Sequence, residues 1–279
     1  MDQISATWTW VGFCFPLAGL LGLGGVFVVH RPWFYTLQQE DYPVEWLQFG
    51  LCLFSGAVFA LAAMGFQARR YRGLAILLLL AALGSLVLSG EEISWGQRVF
   101  GLVTPEGIAD VNQQAEMNIH NISIGIPSES LFKLFSFAMG LAGASFSLLA
   151  RRVGGVLNRT VWWLIAPPLL AIPGFLGMPL YRLFVFVPPF AVSPVVRAQE
   201  WIEVGLYSSL AITAACCYTR ATVDRYQLDL TNDRAPVRLL HPQARLHPAP
   251  LIAVGVGILV LTLIFAIMTR QTDVLPGNI

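Results

Sequence analysis

The sequence predicts an all-α, polytopic integral membrane protein of about seven transmembrane helices with an external amphipathic segment. Three observations carry that reading. Hydrophobic side chains make up 56% of the 279 residues and charged ones 12%, against roughly 25% charged in soluble domains. Mean hydropathy is +0.66. Seven stretches are long enough to cross a bilayer, which takes about 20 apolar residues in a helix because every backbone group must find its partner internally. The chain therefore reads as a single transmembrane domain.

The first stretch runs from Trp8 to Val29. No basic region precedes it and no small-residue cleavage site follows, so a retained helix is expected instead of a signal peptide. The second spans Val44 to Gln67, the third Gly73 to Gly90 with a polar extension, and the fourth Leu131 to Ala150. The fifth, Val161 to Met178, is the least regular: seven of the seventeen prolines fall between Pro167 and Pro194. A kinked helix is expected there, followed by an irregular or re-entrant run through Leu183 to Phe190 inside a Pro-rich segment 179–198. The sixth covers Gln199 to Tyr218 and the seventh Ala249 to Met268, with a loop 219–248 between them. Cys14, Cys52, Cys216 and Cys217 all lie in apolar runs without metal-ligand spacing and read as packing residues.

Orientation follows from the basic residues, which cytoplasmic loops retain. Eleven of the sixteen arginines lie after the second, fourth and sixth helices, the last group in loop 219–248. This predicts a cytoplasmic amino terminus and an external carboxyl terminus. Twelve of the sixteen acids then fall outside, the exceptions being Asp2, Asp224, Asp229 and Asp233. Several are embedded at helix ends, where charge is costly and marks function. Glu45 opens the second helix, Glu91 and Glu92 close the third, and Glu200 and Glu203 open the sixth, on a face shared with Tyr207. Topology brings all five to one membrane face. Glu91, Ser94 and Arg98 are spaced for an internal ion pair at the end of the third helix.

The external loop 101–130 begins a helix at Thr104-Pro105-Glu106. Ile108, Val111, Ala115, Ile119 and Ile122 then form an apolar stripe at helical spacing, while Asn112, Glu116 and His120 form a polar row. An interfacial amphipathic helix is expected. The alternation Asn112, Gln114, Glu116, Asn118, His120 also fits a strand, and both arrangements put Glu116 and His120 on one side.

The run Glu91-Glu92-Ile93-Ser94-Trp95-Gly96-Gln97-Arg98, followed by Asn112-x-Gln114-x-Glu116-x-Asn118-x-His120-Asn121, resembles the signature of an uncharacterised family of bacterial multi-pass membrane proteins. Glu40-Asp41 and Glu45-Trp46 are similar to its earlier acidic and aromatic element. The resemblance covers Glu40 to Asn121 and implies a bacterial inner membrane as the location, but it brings no activity.

The chemistry is therefore read from the residues. Glu45, Glu92, Glu116, His120, Glu200 and Glu203 are the candidate ligands of a divalent metal, since oxygen-rich sets suit hard cations. Glu91, Glu92, His120 and Glu203 are the candidate catalytic groups, for acid–base or metal-assisted work. Arg98, Arg182 and Arg197 could clamp a phosphate bidentately, with Asn118 and Trp95 beside them. The competing reading pairs these glutamates with the same arginines as helix-end charges, and makes Trp46, Trp95 and Trp201 interfacial belt residues. A nucleophilic Ser94 or Ser123 has no supporting nucleophile-elbow pattern.

Together these point to an enzyme acting at the external membrane face on a lipid or lipid-linked phosphate, with membrane lipids as partners. A cation- or proton-coupled transporter is the alternative, and a non-catalytic subunit or assembly factor is the third reading. A net charge of +1 gives no reason to expect a nucleic-acid partner. The topology is checked by reporter fusions. Those after Arg72, Arg152 and Arg238 are expected to report cytoplasm and one near Gly107 the outside, and an external signal at Arg238 would overturn the map.

Overall fold

In the computed structural model the described residues are 6–39, 42–112, 116–119, 122–124, 126–152, 161–187, 192–222, 226–227, 238–239 and 249–269. They form the predicted all-α membrane architecture. The helices are α1 (Ala6–Val29), α2 (Arg31–Leu37), α3 (Pro43–Ala68), α4 (Arg72–Glu92), α5 (Gln97–Phe100), α6 (Glu106–Ala109), α7 (Ser128–Arg152), α8 (Ile172–Phe186), α9 (Ser193–Arg197), α10 (Gln199–Thr222) and α11 (Ala249–Thr269). Six helical stretches are long and apolar enough to cross a membrane, and Cys14–Val29 within α1 adds a shorter apolar helical stretch. The strands among the described residues are two antiparallel pairs of two-residue strands, Ser123–Ile124 with Ile126–Pro127 and Tyr226–Gln227 with Arg238–Leu239.

At the centre, α3 packs against both α4 and α10; α10 continues onto α8, and α8 onto α7. Small residues let these helices approach closely, which in lipid replaces the hydrophobic driving force available in water. A Cβ built on Gly174 of α8 would lie 2.1 Å from the Gly205 carbonyl oxygen of α10, and one on Gly140 of α7 would lie 2.4 Å from that of Phe175. Ser209 of α10 adds a polar tie, donating to the Ala171 carbonyl at 2.7 Å. Outside this core, α11 leans on α3 and α5 and is almost unburied by protein. Cys52 and Cys217 are buried as packing residues, but Cys14 is exposed on α1, contrary to the packing role expected for all four.

The fifth crossing differs from its expected boundaries. Val161–Ile165 is 3₁₀ helix, a break follows at Pro167-Pro168, and the α-helix begins only at Ile172 and runs through Pro179 to Phe186. The irregular segment expected from 179 is thus helical to Phe186, and helical again over Ser193–Arg197. Residues 188–191 lie outside the described residues. Proline explains the shift: Pro173 sits in the first turn of α8, where a missing N–H costs nothing. Pro167 and Pro168, by contrast, cannot donate to the carbonyls of Trp163 and Leu164 four residues earlier.

Arg220 of α10 substitutes for those missing donors. Its Nη1 donates to the carbonyls of Trp163 at 3.0 Å and Ala166 at 2.6 Å, with Leu164 at 3.5 Å. Its guanidinium carbon stands 4.6 Å from the centroid of a Trp163 ring. A buried carbonyl left without a donor is costly, so this buried cation holds the broken segment to the bundle. Arg220→Met is expected to lower stability by about 3 kcal/mol, from lost hydrogen bonds to a charged donor. A detergent melting temperature several degrees below wild type checks this, and an unchanged one would refute it.

Candidate functional site: the acidic end of the bundle

The acidic end of the bundle carries two separate constellations. One lies between α3, α4 and α10. The α4 helix ends on Glu92, whose Oε1 accepts from the Tyr207 hydroxyl of α10 at 2.9 Å. One turn before Tyr207, Glu203 is 5% exposed. Its Oε1 accepts from Gln199 Nε2 at 2.8 Å, and Gln199 Oε1 in turn accepts from Arg182 Nη1 at 2.8 Å. Arg182 Nη2 stands 3.9 Å from the same Glu203 oxygen.

Gln48 of α3, fully buried, donates to the Glu200 carbonyl at 2.7 Å and to its Oε2 at 3.2 Å. Glu92 interacts electrostatically with Glu203, Glu200 and Glu45. Cys52 of α3 is buried against the same group, within reach of Glu92 and Glu203.

The second constellation closes the end of α4 and differs from expectation. Past Ile93 the chain turns left-handed at Ser94 (φ 46°), Trp95 (φ 55°) and Gly96 (φ 79°), which costs roughly 1–2 kcal/mol for each non-glycine residue. Side chains hold the turn. Trp95 folds back against Gly90 and donates Nε1–H to Glu91 Oε1 at 2.6 Å. Glu91 Oε2 accepts from the Ile119 backbone N–H at 2.7 Å. Glu91 and Arg98 therefore do not share one helix. Arg98 is ion-paired through Nη2 with Glu116 of the loop, and Glu116 also accepts from Ser94 Oγ at 2.9 Å and Asn118 Nδ2 at 2.6 Å.

The amphipathic helix expected over loop 101–130 is confined, among the described residues, to the single turn of α6. Asn112 is instead bridged antiparallel to Ile122, and Ile119 is exposed, so the apolar stripe does not form one face. The cause is side-chain competition for the backbone, to which Asn is prone. Asn112 Oδ1 accepts from the Glu116 N–H at 3.2 Å, and its Nδ2 donates to the Asn118 carbonyl at 2.8 Å. Gln97 adds a tie by accepting from the Met117 N–H at 2.8 Å and donating to Thr104 at 2.6 Å.

These geometries sort the predicted residues. Glu92 bonds to Tyr207, Glu203 to Gln199 and Arg182, and Glu200 to Gln48. Glu91, Arg98, Asn118, Glu116 and Trp95 knit the loop to α4 in a separate set of contacts. Arg197 is exposed at the end of α9. His120 lies outside the described residues, as do Gln114, Ala115 and Asn121. Among the described residues, no three His, Cys, Asp or Glu side chains are arranged to hold an ion, so the expected metal set is not assembled there. Trp46 is buried against Phe49, and Trp201 donates to the Pro16 carbonyl at 3.1 Å, linking α10 to α1. Gln48 and Gln199 were not foreseen. An amide inside or at the head of an apolar run is the signal that marks them, since polar side chains in membrane helices seek partners on neighbouring helices.

Comparison of the chain with protein families, with curated proteins and with solved structures found no match. The loop constellation has a direct test. Arg98→Met removes the partner of a buried carboxylate and is expected to cost about 3–5 kcal/mol. Hydrogen exchange over residues 101–119 should rise together with a fall in melting temperature, and unchanged exchange would contradict the role of the Arg98–Glu116 pair.

Proposed function

We propose that the protein is an integral membrane enzyme performing acid–base chemistry on a lipid or lipid-linked substrate, with Glu92 and Glu203 as its working carboxylates. The observation that supports this most is that Glu92, held by Tyr207, and buried Glu203, held by Gln199 and Arg182, stand on facing helices α4 and α10 and interact electrostatically. Charge in a membrane segment is expensive and is kept where it has work to do. Neighbouring carboxyl groups allow a division of labour: one takes the proton of an attacking hydroxyl or water, and the other returns a proton to the leaving oxygen. Tyr207 orients Glu92, and the Arg182–Gln199 relay orients Glu203. Because the site lies within membrane-spanning helices, the fitting substrate is one whose reactive head reaches it from the bilayer. In the proposed orientation this is the external face of a bacterial inner membrane.

Proton-coupled transport is the second reading, favoured by the burial of Glu203 in the protein beside Arg182. One set of proteoliposomes carrying a bacterial lipid extract separates the two. Wild-type protein is expected to convert a component of the extract, followed by mass spectrometry. Glu92→Gln and Glu203→Gln should lose at least about 100-fold of that turnover while melting within a few degrees of wild type. Loss of stability in parallel with turnover would contradict a catalytic role. Dissipation of a pH gradient with no lipid converted would favour transport.

A further inference from the structure

The chain that follows α4 folds with its polarity reversed. Gln97, Arg98, Asn112, Glu116 and Asn118 are buried, while Trp95, Phe100, Leu102, Val103 and Ile119 are exposed, Val103 to 89%. The buried polar groups bond to one another and to the backbone: Gln97 to Thr104 and the Met117 N–H, Arg98 to Glu116, and Asn112 Nδ2 to Asn118 Oδ1 at 2.9 Å. Trp95 follows the same rule within one side chain, since its Nε1–H is turned to Glu91 while its ring remains exposed. A surface loop in water turns its charges outward. This one turns them inward and its apolar side chains outward, as irregular backbone must where no water is present to satisfy it.

The depth of the segment gives the reason. The α11 helix is 21 residues without a charged side chain, and at about 1.5 Å per residue it matches a ~30 Å hydrocarbon core from end to end. Phe265, four residues before its last, therefore lies about 6 Å inside that core. The centroid of the Phe100 ring stands 5.8 Å from that of Phe265. Val99 is buried in the same layer, with Trp46 and Phe49 of α3 and against Phe265 and Met268. Phe49 is six residues past the start of α3, a rise of about 9 Å. The short helix α5 thus packs on the flanks of two crossings and not above their ends. Beside it, α11 continues the exposed apolar surface through Leu263, Ile264 and Ile267.

We infer that residues 97–103 form a re-entrant membrane anchor, with Phe100, Leu102 and Val103 seated in lipid acyl chains and the Arg98–Glu116 pair carried on its protein side. The partner is the lipid hydrocarbon that surrounds α11, with whose exposed face these side chains are continuous. The loop that begins at Gly101 therefore starts inside the bilayer and not in water. This holds whatever the carboxylates of the bundle do, and it adds an interaction surface that the catalytic reading does not require.

The test measures which medium touches Val103, a side chain so exposed that it can be replaced without disturbing packing. A fluorescent amino acid is incorporated by codon suppression in place of Val103, Leu263 or Asp110, one per protein, and each full chain is placed in phosphatidylcholine nanodiscs. Leu263 is the reference for lipid, and Asp110, an exposed carboxylate, is the reference for water. Two quenchers are applied, aqueous iodide and a phosphatidylcholine carrying a nitroxide high on its acyl chain. At Val103 the nitroxide lipid is expected to quench within about twofold of its effect at Leu263, and iodide at least fivefold less than at Asp110. Iodide quenching equal to that at Asp110 would place the segment in water and overturn the anchor. Shielding from both quenchers would mean that another protein surface covers these side chains, and would overturn it as well. Val103→Asp gives a second reading: hydrogen exchange over residues 97–112 in nanodiscs should rise at least tenfold, because hydrocarbon expels a carboxylate. Unchanged exchange in that variant would contradict seating in lipid.

Discussion

A carboxylate inside a membrane bundle must be partnered by protein, and that constraint organises the acidic end of this structure. Glu92 terminates α4 against the Tyr207 hydroxyl of α10, Glu203 is held by Gln199, and Glu200 is held by Gln48 of α3. Each bond crosses or braces the contact among α3, α4 and α10 that forms the centre of the fold. The polar cluster and the helix packing therefore specify one another. The helices come close through small residues, and the closeness gives each carboxylate a donor. A buried polar network of this kind stabilises only when its members are satisfied, and Arg182 serves it by donating to Gln199 and pairing with Glu203.

The same rule accounts for two features remote from that cluster. Arg220 supplies donors to carbonyls that Pro167 and Pro168 leave without amide partners, which lets the chain break ahead of α8 while staying packed on α10. At the other end, Arg98 and Glu116 neutralise each other where the chain leaves α4 through three left-handed residues. The strain at Ser94 and Trp95 persists because Glu116 and Glu91 hold those side chains. In consequence the loop is fixed to the helix end that delivers Glu92.

The helices were legible in the sequence because a bilayer demands long apolar runs, and these survive any detail of packing. That Glu45, Glu92, Glu200 and Glu203 belong to one end of the bundle was legible for a related reason: alternating crossings force the end of α4 and the starts of α3 and α10 to one side. The fifth crossing was misplaced because prolines read as interruptions, whereas Pro173 starts α8 and Pro179 is carried within it. The loop was misread because its apolar spacing fits a helix while its asparagines bond to the backbone instead. Arg98, drawn to Glu116, separates that glutamate from the ligand set to which residue type alone had assigned it. Gln48 and Gln199 are ordinary residues in composition, and only the adjacency of α3, α8 and α10 gives them their roles.

The central claim is that α4 and α10 are joined through a carboxylate and a phenol buried between them. A double-mutant cycle on Glu92→Leu and Tyr207→Phe, read as detergent unfolding free energies, measures that link directly. The structure requires a coupling of about 1 kcal/mol or more, because either substitution alone removes the bond the other would remove. Strict additivity of the two effects would contradict it and would take apart the site built on Glu92.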